Sequence, residues 1–394
     1  MAKIGQRCGK SVFSLIWLVC ALGAMGLAPA QTVPEIVLHN FGGPTAGAFP
    51  TAGLIRDSAG NLYGTTSNEP VVYKLSAAGK YTVLCSLGGP DRGYHTSPDY
   101  FTFPSVFGVI ADSAGNLFGT DGGVVYELVA PNQETVLYTF TGGADGSEVE
   151  SGVIRDSSGY LYGTASGGLI FIGNGLGVVY MLNPAGQQTV LWTFLQSEGA
   201  EPLSGLIQDA EGNLYGTANQ GGAANLGDAY EIDTGGNFSI LYSFMGGTDG
   251  ANPYSGLIMN HEGYFFGTTW GGGTGNAGTV YKLNVEVLYS FTGGADGGNP
   301  YAGLVQDSAG NFYGTTYGGG TAGQGVVYAL IQPTTRGGPW TEKVLHSFTG
   351  GADGGYPYAG VVLDSEGNIY GTTYSGGKYD SGVVYMLQGA AAVK

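Results

Sequence analysis

Residues 287–330 read VLYSFTGGADGGNPYAGLVQDSAGNFYGTTYGGGTAGQGVVYAL, and variants of this stretch recur along the whole chain. The unit holds four apolar runs: 303–307, 311–317 and 325–330, called strands A, B and C, and 343–348, called strand D. Between strands A and B lies DSAGN, in which Asp caps backbone amides and Gly supplies a positive φ. The stretch therefore predicts an antiparallel unit of four short strands.

Two sequence features recur once in each copy of this unit and so give the number of copies. The first is a Gly-Thr pair after an aromatic residue in strand B, with glycines at Gly64, Gly119, Gly163, Gly216, Gly267, Gly314 and Gly371. The second is the tyrosine of strand C, at Tyr73, Tyr126, Tyr180, Tyr230, Tyr281, Tyr328 and Tyr385. Successive copies lie 44 to 57 residues apart, which favours propeller blades over β-solenoid coils of about 20 to 30 residues.

The ends of the repeat array predict that the ring closes. The array begins with a lone strand D at 36–41 and ends with a lone strand C at 382–387, so the first strand can complete the last blade. We predict an all-β fold with a single domain over 31–394: a seven-bladed β-propeller of four-stranded antiparallel blades closed by the N-terminal strand. We also expect strands B, C and D to be apolar on both faces, and the Tyr328 ring to cover Gly314.

The first thirty residues match a signal peptide. Lys3, Arg7 and Lys10 precede an apolar run over 12–27, and the A-x-A pattern of residues 28–30 follows it. The alternative is a membrane anchor that stays attached, but the run is short for a spanning helix. We expect cleavage after Ala30 and an exported, periplasmic or secreted mature protein.

The charge of the chain bears on its partners, and its cysteine content bears on disulfide bonding. Removing the three basic residues of the leader moves the formal charge from −17 to −20, which argues against nucleic acid or a membrane as a partner. Cys85 is the one cysteine left after cleavage, so no intrachain disulfide is expected. Packing and ring closure must then supply the stability.

The segments GLVQDSAGNFYGTTYGGG, GVVY and VLYSFTGGADGGNPYAG resemble the GloVer tandem repeat of exported bacterial proteins, which carry a varying C-terminal anchor. The resemblance covers nearly the whole mature chain. It implies an exported repeat protein and brings no established activity. Because this chain ends in QGAAAVK, with neither a sorting motif nor an apolar tail, we expect a periplasmic or released protein.

The loops between strands D and A and between strands B and C share one end of each blade, called here the long-loop face. An insertion at 88–107 adds to this face. Aromatic rings beside carboxylates suit sugars, although the aspartates could cap turns and the rings could pack against the next blade. The candidate ligand contacts are Trp270, Tyr301, Tyr317, Tyr358, Tyr374, Tyr254, Asp249, Asp296 and Asp353.

Other chemistry finds less support in the sequence. The residues that end strand A form a second ring, at Asp57, Asp112, Asp156, Asp209, Asn260, Asp307 and Asp364. Ca²⁺ is a possible ligand of this ring, but each residue stands where a turn-capping side chain belongs, and we expect no cofactor. His39 and His346 take the strand-D position that holds Tyr289 in another repeat, so we interpret them as packing residues.

Three functions remain open. The preferred hypothesis is an exported, non-enzymatic module that binds carbohydrate or protein through the long-loop face. The alternatives are a polysaccharide-active hydrolase or lyase that uses loop carboxylates, to be sought in the irregular repeats at 82–182, and a structural or adhesive repeat protein. Fold alone does not choose among them.

Overall fold

Twenty-eight short strands form seven four-stranded sheets in the part of the chain that the computed structural model describes. The described residues are 33–42, 47–88, 108–129, 133–167, 176–284 and 286–392. The expected leader at 1–30 and nearly all of the insertion at 88–107 lie outside them. Three 3₁₀ turns complete the described elements, at Gln196–Glu198, Gly247–Asp249 and Ala390–Ala392.

Each sheet is one blade, with its strands hydrogen-bonded in the order A, B, C and D. Blade 1 consists of β2 (Ile55–Arg56), β3 (Leu62–Thr65), β4 (Val71–Leu75) and β5 (Tyr81–Ser86). Blade 2 consists of β6 (Ile110–Ala111), β7 (Leu117–Asp121), β8 (Val124–Val129) and β9 (Gln133–Thr139). Blade 3 consists of β10 (Ile154–Arg155), β11 (Leu161–Ala165), β12 (Val178–Leu182) and β13 (Gln188–Thr193). Blades 4 and 5 consist of β14 (Ile207–Gln208), β15 (Leu214–Ala218), β16 (Asp228–Ile232) and β17 (Phe238–Ser243); β18 (Ile258–Met259), β19 (Phe265–Thr269), β20 (Thr279–Lys282) and β21 (Glu286–Ser290). Blades 6 and 7 consist of β22 (Val305–Gln306), β23 (Phe312–Thr316), β24 (Val326–Ile331) and β25 (Thr341–Ser347); β26 (Val362–Leu363), β27 (Ile369–Thr373), β28 (Val383–Leu387) and β1 (Glu35–Asn40).

The N-terminal strand closes the ring. β1 pairs antiparallel with β28, with Glu35 opposite Leu387 and Asn40 opposite Val383, and so becomes strand D of blade 7. This confirms the prediction of seven four-stranded antiparallel blades closed by the first strand. None of the helical segments described is long and apolar enough to cross a membrane.

The glycine of strand B leaves space for the tyrosine ring of strand C. Gly314 lies opposite Tyr328 in the ladder, and a Cβ built on Gly314 would stand 2.6 Å from the Tyr328 hydroxyl oxygen. The same contact is present in all seven blades, at 2.3 to 2.6 Å. The prediction that the tyrosine ring covers this glycine is therefore confirmed, and the recurrence of Gly has a steric cause.

The core lies between blades as well as within them. A phenylalanine that follows strand D packs edge-on against the strand-C tyrosine of the next blade, as Phe291 does with Tyr328 at 5.0 Å between ring centroids. Phe41, which follows β1, makes the same contact with Tyr73 of blade 1 at 5.2 Å. Each blade thus buries its apolar face against a neighbour, which is what a closed propeller requires.

Strand D differs from the expectation that it is apolar on both faces. As the outermost strand of its blade it is half-buried or exposed along most of its length, and β9 has no fully buried residue. In every blade the C–D ladder also shifts register beside the tyrosine, so that Leu345 in β25 is an extra, buried residue. This β-bulge increases the local twist of the outer strand.

Threonine hydrogen bonds join neighbouring blades from blade 2 round to blade 1. The Thr315 hydroxyl donates to the Ala359 carbonyl oxygen at 2.8 Å, and the Thr372 hydroxyl donates to that of Ala52 at 3.5 Å, across the point of closure. The other described links run from Thr120 to Ser151, Thr164 to Ser204, Thr217 to Ser255 and Thr268 to Ala302. The Thr of the Gly-Thr pair is therefore a joint between blades.

Candidate functional site

The starts of the A strands converge at the centre of the ring. A Cβ built on Gly256, which precedes strand A of blade 5, would lie 2.6 Å from the Gly205 carbonyl oxygen of blade 4. On the long-loop face, the D–A loops that enter blades 1 and 3 to 7 also pair with the B–C loop of the same blade, as in the isolated bridge between Gly298 and Gly318. These two contacts hold the residues after the loop prolines and the residues after strand B around one central mouth.

Six aromatic side chains predicted from the sequence meet at this mouth. Ring centroids lie 5.0 Å apart between Tyr254 and Tyr301 and between Tyr301 and Tyr358, and 5.3 Å apart between Tyr358 and Tyr374. Each of these tyrosines comes from a loop of blade 5, 6 or 7. Contiguous aromatic surface of this kind marks interaction sites.

Two further rings extend the row and were not predicted. Phe49 lies 5.0 Å from Tyr374, and Tyr356 lies 4.9 Å from Tyr317. Trp270, which is 37% exposed, borders Tyr254 at 6.4 Å. We call the whole set the aromatic crescent: Phe49, Tyr254, Trp270, Tyr301, Tyr317, Tyr356, Tyr358 and Tyr374.

The crescent carries no charge of its own near neutral pH. Burial raises the pKa of Tyr301 to about 12, and the neighbouring phenols Tyr254 and Tyr317 raise it further in the same direction. Burial likewise raises the pKa of Tyr254 and Tyr358. The surface therefore offers neutral ring faces with hydroxyl groups at their rims, an amphipathic combination suited to polar ligands with apolar faces.

Phe49 and Tyr356 occupy a backbone position that disfavours them. The residue before the loop proline has a φ of 57° at Phe49 and 55° at Tyr356, and of 55° and 57° at the equivalent Asn252 and Asn299. Asn tolerates this left-handed region, whereas bulky aromatic residues rarely adopt it. Backbone strain of this kind gathers at functional sites. Aligning the residue before each loop proline would have revealed both rings from the sequence.

Three glutamates continue the mouth beyond Tyr254 and were also missed. Glu148 and Glu150 lie in the loop that enters blade 3, and Glu201 in the loop that enters blade 4. The Gln220 side-chain amide donates to a Glu201 carboxylate oxygen at 2.7 Å. We call these three residues the glutamate cluster. They break the repeat, because Glu150 stands where Tyr301 stands in blade 6.

The carboxyl groups of the glutamate cluster interact electrostatically with one another. Burial raises the pKa of Glu150 to about 7, and the negative charges of Glu148 and Glu201 raise it further, against a hydrogen bond from Ser166. Burial raises the pKa of Glu201 as well, opposed by the Gln220 hydrogen bond. The mouth therefore holds carboxyl groups whose ionised forms are poorly solvated.

Asn219 lies between the cluster and the crescent. It is 2% exposed, and its side-chain nitrogen lacks a hydrogen-bond partner among the described residues, although the Tyr254 phenol is close. Its backbone amide donates to the Glu201 carbonyl oxygen at 3.0 Å. Asn219 is therefore an internal residue between the two parts of the mouth, with its side-chain nitrogen shielded from solvent.

The candidate aspartates cap their own loops instead of joining the crescent. Asp296 accepts from the Thr292 backbone amide at 2.8 Å and from the Tyr289 hydroxyl at 3.0 Å. Asp249 and Asp353 accept in the same way from the loops that they close. The Thr292 and Thr349 hydroxyl groups donate to the other carboxylate oxygen of Asp296 and Asp353. Both carboxylate oxygens of each residue are thus engaged, which is the turn-capping alternative. A ligand role for Asp249, Asp296 and Asp353 stays a prediction that no contact supports.

The strand-D histidine His346 contacts Asp353, the aspartate that caps the following D–A loop. His346 lies opposite Val327, as Tyr289 lies opposite Val280 in blade 5, and its Nε2 is 3.2 Å from Asp353. His39 holds this register in β1 opposite Val384. Both histidines are therefore variants of one structural position.

The ring of strand-A ends is a set of turn caps on the opposite face. Asp307 accepts from the Ala309 and Asn311 backbone amides at 2.9 Å, and from the Asn311 side chain and the Tyr313 hydroxyl at 2.9 Å. Equivalent bonds hold Asp57, Asp209 and Asp364. No group of three or more His, Cys, Asp or Glu residues within the described ranges is arranged to hold a metal ion.

Fold and site together define a seven-bladed β-propeller with a largely aromatic mouth on its long-loop face. The Gloeobacter/Verrucomicrobia repeat matches residues 105–305 and 284–393, so the chain belongs to this family. The family resemblance expected from the repeat motif is thereby confirmed. No functionally curated protein matches the sequence.

Solved structures resemble this fold at low sequence identity. Virginiamycin B lyase from Staphylococcus aureus superposes with a TM-score of 0.60 at 13% identity, over 90% of this chain and 99% of the lyase. The extracellular domain of a one-component system from B. thetaiotaomicron gives a TM-score of 0.56 at 13% identity, over 92% of this chain and 42% of that one. At such identities the likeness shows the propeller fold alone.

Proposed function

We propose that this protein is an exported carbohydrate-binding β-propeller whose ligand lies along the aromatic crescent. The observation that carries the proposal is the unbroken row of ring contacts from Tyr254 through Tyr301, Tyr358 and Tyr374 to Phe49. These rings come from four neighbouring blades, so the row is built by the closed ring and by no single repeat. The leader-like pattern at 1–30 supports export.

Sugar chains fit this surface for two reasons. The rings offer flat apolar faces while their hydroxyl groups offer hydrogen bonds, and a pyranose ring presents the complementary combination. The row of ring contacts also runs across four blades, which suits an extended chain. A protein ligand is the other partner that the sequence left open.

The test replaces rings at the centre of the crescent. Tyr301→Ala and Tyr358→Ala should each weaken glycan binding by about tenfold or more, because a central aromatic contact is worth more than about 1.4 kcal/mol. A glycan array identifies the ligand, and titration calorimetry measures its affinity. The matched control is Tyr160→Ala, a half-exposed tyrosine in the A–B turn of blade 3 on the opposite face.

Thermal unfolding of each variant separates a lost contact from a lost fold. Glycan binding that stays unchanged in both crescent variants would refute the proposal, and so would a wild-type protein that binds no glycan on the array.

The glutamate cluster favours a second candidate function, polysaccharide cleavage. Glu148 and Glu150 belong to the irregular third repeat, and they lie with Glu201 at one end of the crescent, where a bound chain would present a glycosidic bond. Glycosidases use paired carboxyl groups, one of them protonated near neutral pH. Reducing ends released from the glycans that bind, and abolished in Glu150→Gln, would establish this activity.

A further inference from the structure

The face opposite the crescent carries a cavity at the border of blades 5 and 6. It has a volume of about 640 Å³ and is lined by the A–B turn and strands C and D of blade 5 and by the C–D loop of blade 6. Pockets that bind small molecules commonly measure about 300 to 1,000 Å³. The aromatic crescent lies on the long-loop face, so the two surfaces are separate.

Two departures from the repeat create this cavity. Counted from the same ladder pair, the connection between strands C and D covers residues 232–238 in blade 4, 283–285 in blade 5 and 330–342 in blade 6. The short connection leaves space beside blade 5, and the long loop of blade 6 forms a wall on the other side. Loops that depart from a rigid scaffold in this way are common places for binding residues.

Two aromatic side chains supply apolar surface in the cavity. Trp340 stacks on Phe312 with 5.3 Å between ring centroids, which fixes one face of the indole. Tyr264 is 44% exposed, and the Lys282 Nζ lies 3.2 Å from the centroid of its ring. In blade 6 the same position holds Asn311, whose side chain closes its own turn. The tyrosine of blade 5 adds a ring to the cavity instead.

Charged groups of both signs line the cavity, and none of them takes part in an ion pair with another described residue. They are Lys282, Arg336, Glu262 and Glu286. Strand A of blade 5 also ends in Asn260, where every other repeat has Asp, so a carboxylate is missing here. The positive and negative charges balance. This favours a neutral ligand that both donates and accepts hydrogen bonds over an anion or a cation.

We propose that this cavity is a second binding site, for a neutral saccharide of one or two rings. Sugar hydroxyl groups can accept hydrogen bonds from Lys282 and Arg336 and donate them to the two glutamates. The apolar face of the sugar ring lies against Trp340, which is half-buried. The site goes beyond the proposed function, because it shares no residue with the crescent and binds its ligand independently.

Tryptophan fluorescence distinguishes the two faces of the ring. Outside the expected leader the chain contains Trp192, Trp270 and Trp340. Glucose, N-acetylglucosamine, cellobiose, maltose and lactose are titrated into the mature chain. At least one of them should change the emission and saturate. The change should be absent in Trp340→Phe and retained in Trp270→Phe, which alters the crescent.

Substitutions of charged residues test the hydrogen-bonding role. Arg336→Ala and Glu262→Ala should each weaken binding of that saccharide by about tenfold in calorimetry. The matched control is Glu211→Ala, an exposed glutamate at the equivalent position of the A–B turn in blade 4, which should keep the wild-type affinity. Thermal unfolding of each variant shows whether its fold is intact.

Three results would overturn the inference. The first is a panel in which no saccharide changes the emission of Trp340. The second is a change that persists in Trp340→Phe and disappears in Trp270→Phe, which would locate the ligand at the crescent and leave the proposed function standing. The third is glucuronate binding more than about tenfold tighter than glucose, which would mean that the cavity selects an anion. Loss of crescent binding in Tyr301→Ala should leave binding in the cavity unchanged.

Discussion

The buried tyrosine of strand C is a single residue type with one structural task in seven places. Its ring fills the space above the strand-B glycine in every blade. In six blades it also meets a phenylalanine of the preceding blade, as at Tyr328, whereas Tyr126 packs with Leu87. Six of these phenols are fully or almost fully buried with a hydroxyl that lacks a hydrogen-bond partner among the described residues: Tyr73, Tyr180, Tyr230, Tyr281, Tyr328 and Tyr385. Shape, and not hydrogen bonding, explains the ring at this position.

This reasoning predicts opposite effects for two substitutions at one contact. Tyr328→Phe should leave the free energy of unfolding unchanged or raise it by up to about 1 kcal/mol, because no hydrogen bond is lost. Gly314→Ala should lower it by about 1 to 3 kcal/mol, because the new methyl group would overlap the Tyr328 ring. Chemical denaturation measures both. A loss of more than about 2 kcal/mol in Tyr328→Phe would mean that the hydroxyl is bonded after all.

At the scale of the element, strand C of blade 4 carries an anomaly. β16 begins with Asp228, where the equivalent strands of blades 3, 6 and 7 begin with Val178, Val326 and Val383. Asp228 is 0% exposed, and neither carboxylate oxygen has a partner of normal hydrogen-bond geometry among the described residues. Burial raises the pKa of this carboxyl group, against a weaker opposing influence of Ser243.

The raised pKa of Asp228 predicts in which direction the stability of the fold changes with pH. Because the folded-state pKa lies above the unfolded value, the neutral carboxyl favours folding in acid, and that advantage is lost as pH rises through the folded-state pKa. Asp228→Val should therefore raise the free energy of unfolding at neutral pH, by about 1 to 3 kcal/mol, and remove part of the fall in stability between acidic and neutral pH. Denaturation at several pH values measures this, with Asp228→Asn separating charge from shape. A valine variant less stable than wild type at neutral pH would contradict the argument.

Repetition decides how much of these elements the sequence could predict. Strand order, blade number, closure by β1 and the Tyr328–Gly314 contact all follow from residues that recur in every copy. Phe49, Tyr356 and the glutamate cluster did not follow, because each is a departure from the repeat whose partners come from another blade. Asp249, Asp296 and Asp353 also recur, and the structure shows that each of them caps the turn of its own loop. The expectation that strand D is apolar on both faces fails because this strand is the outer edge of each blade, where it is exposed to solvent.

At the scale of the whole molecule, closure depends on a contact between the two ends of the chain. β1 pairs with β28, Phe41 packs on Tyr73, and the Thr372 hydroxyl reaches Ala52. Without β1, strand C of blade 7 becomes a free edge that can pair with other chains. The ring would then lose both the outermost strand of blade 7 and the contacts that join blades 7 and 1.

A truncation and a rearranged chain test this dependence. Deleting residues 31–41 should lower the melting temperature by more than about 5 °C and promote self-association, because an apolar strand edge is exposed. A circular permutant that starts at residue 42 and carries residues 31–41 after residue 394 should recover both properties, since β1 can still reach β28. Calorimetry and light scattering measure the outcome. A truncated chain as stable and as monodisperse as the full one would show that closure is dispensable.

The left-handed residue before each loop proline has a consequence for how such mouths diversify. Phe49, Glu201, Asn252, Asn299 and Tyr356 share one backbone conformation while their side chains range from apolar to acidic. The framework beneath them is fastened by threonines whose bonds do not involve these side chains. The same loop backbone thus carries side chains of different chemistry, and a single substitution per blade can change the surface of the mouth while the ring keeps its structure.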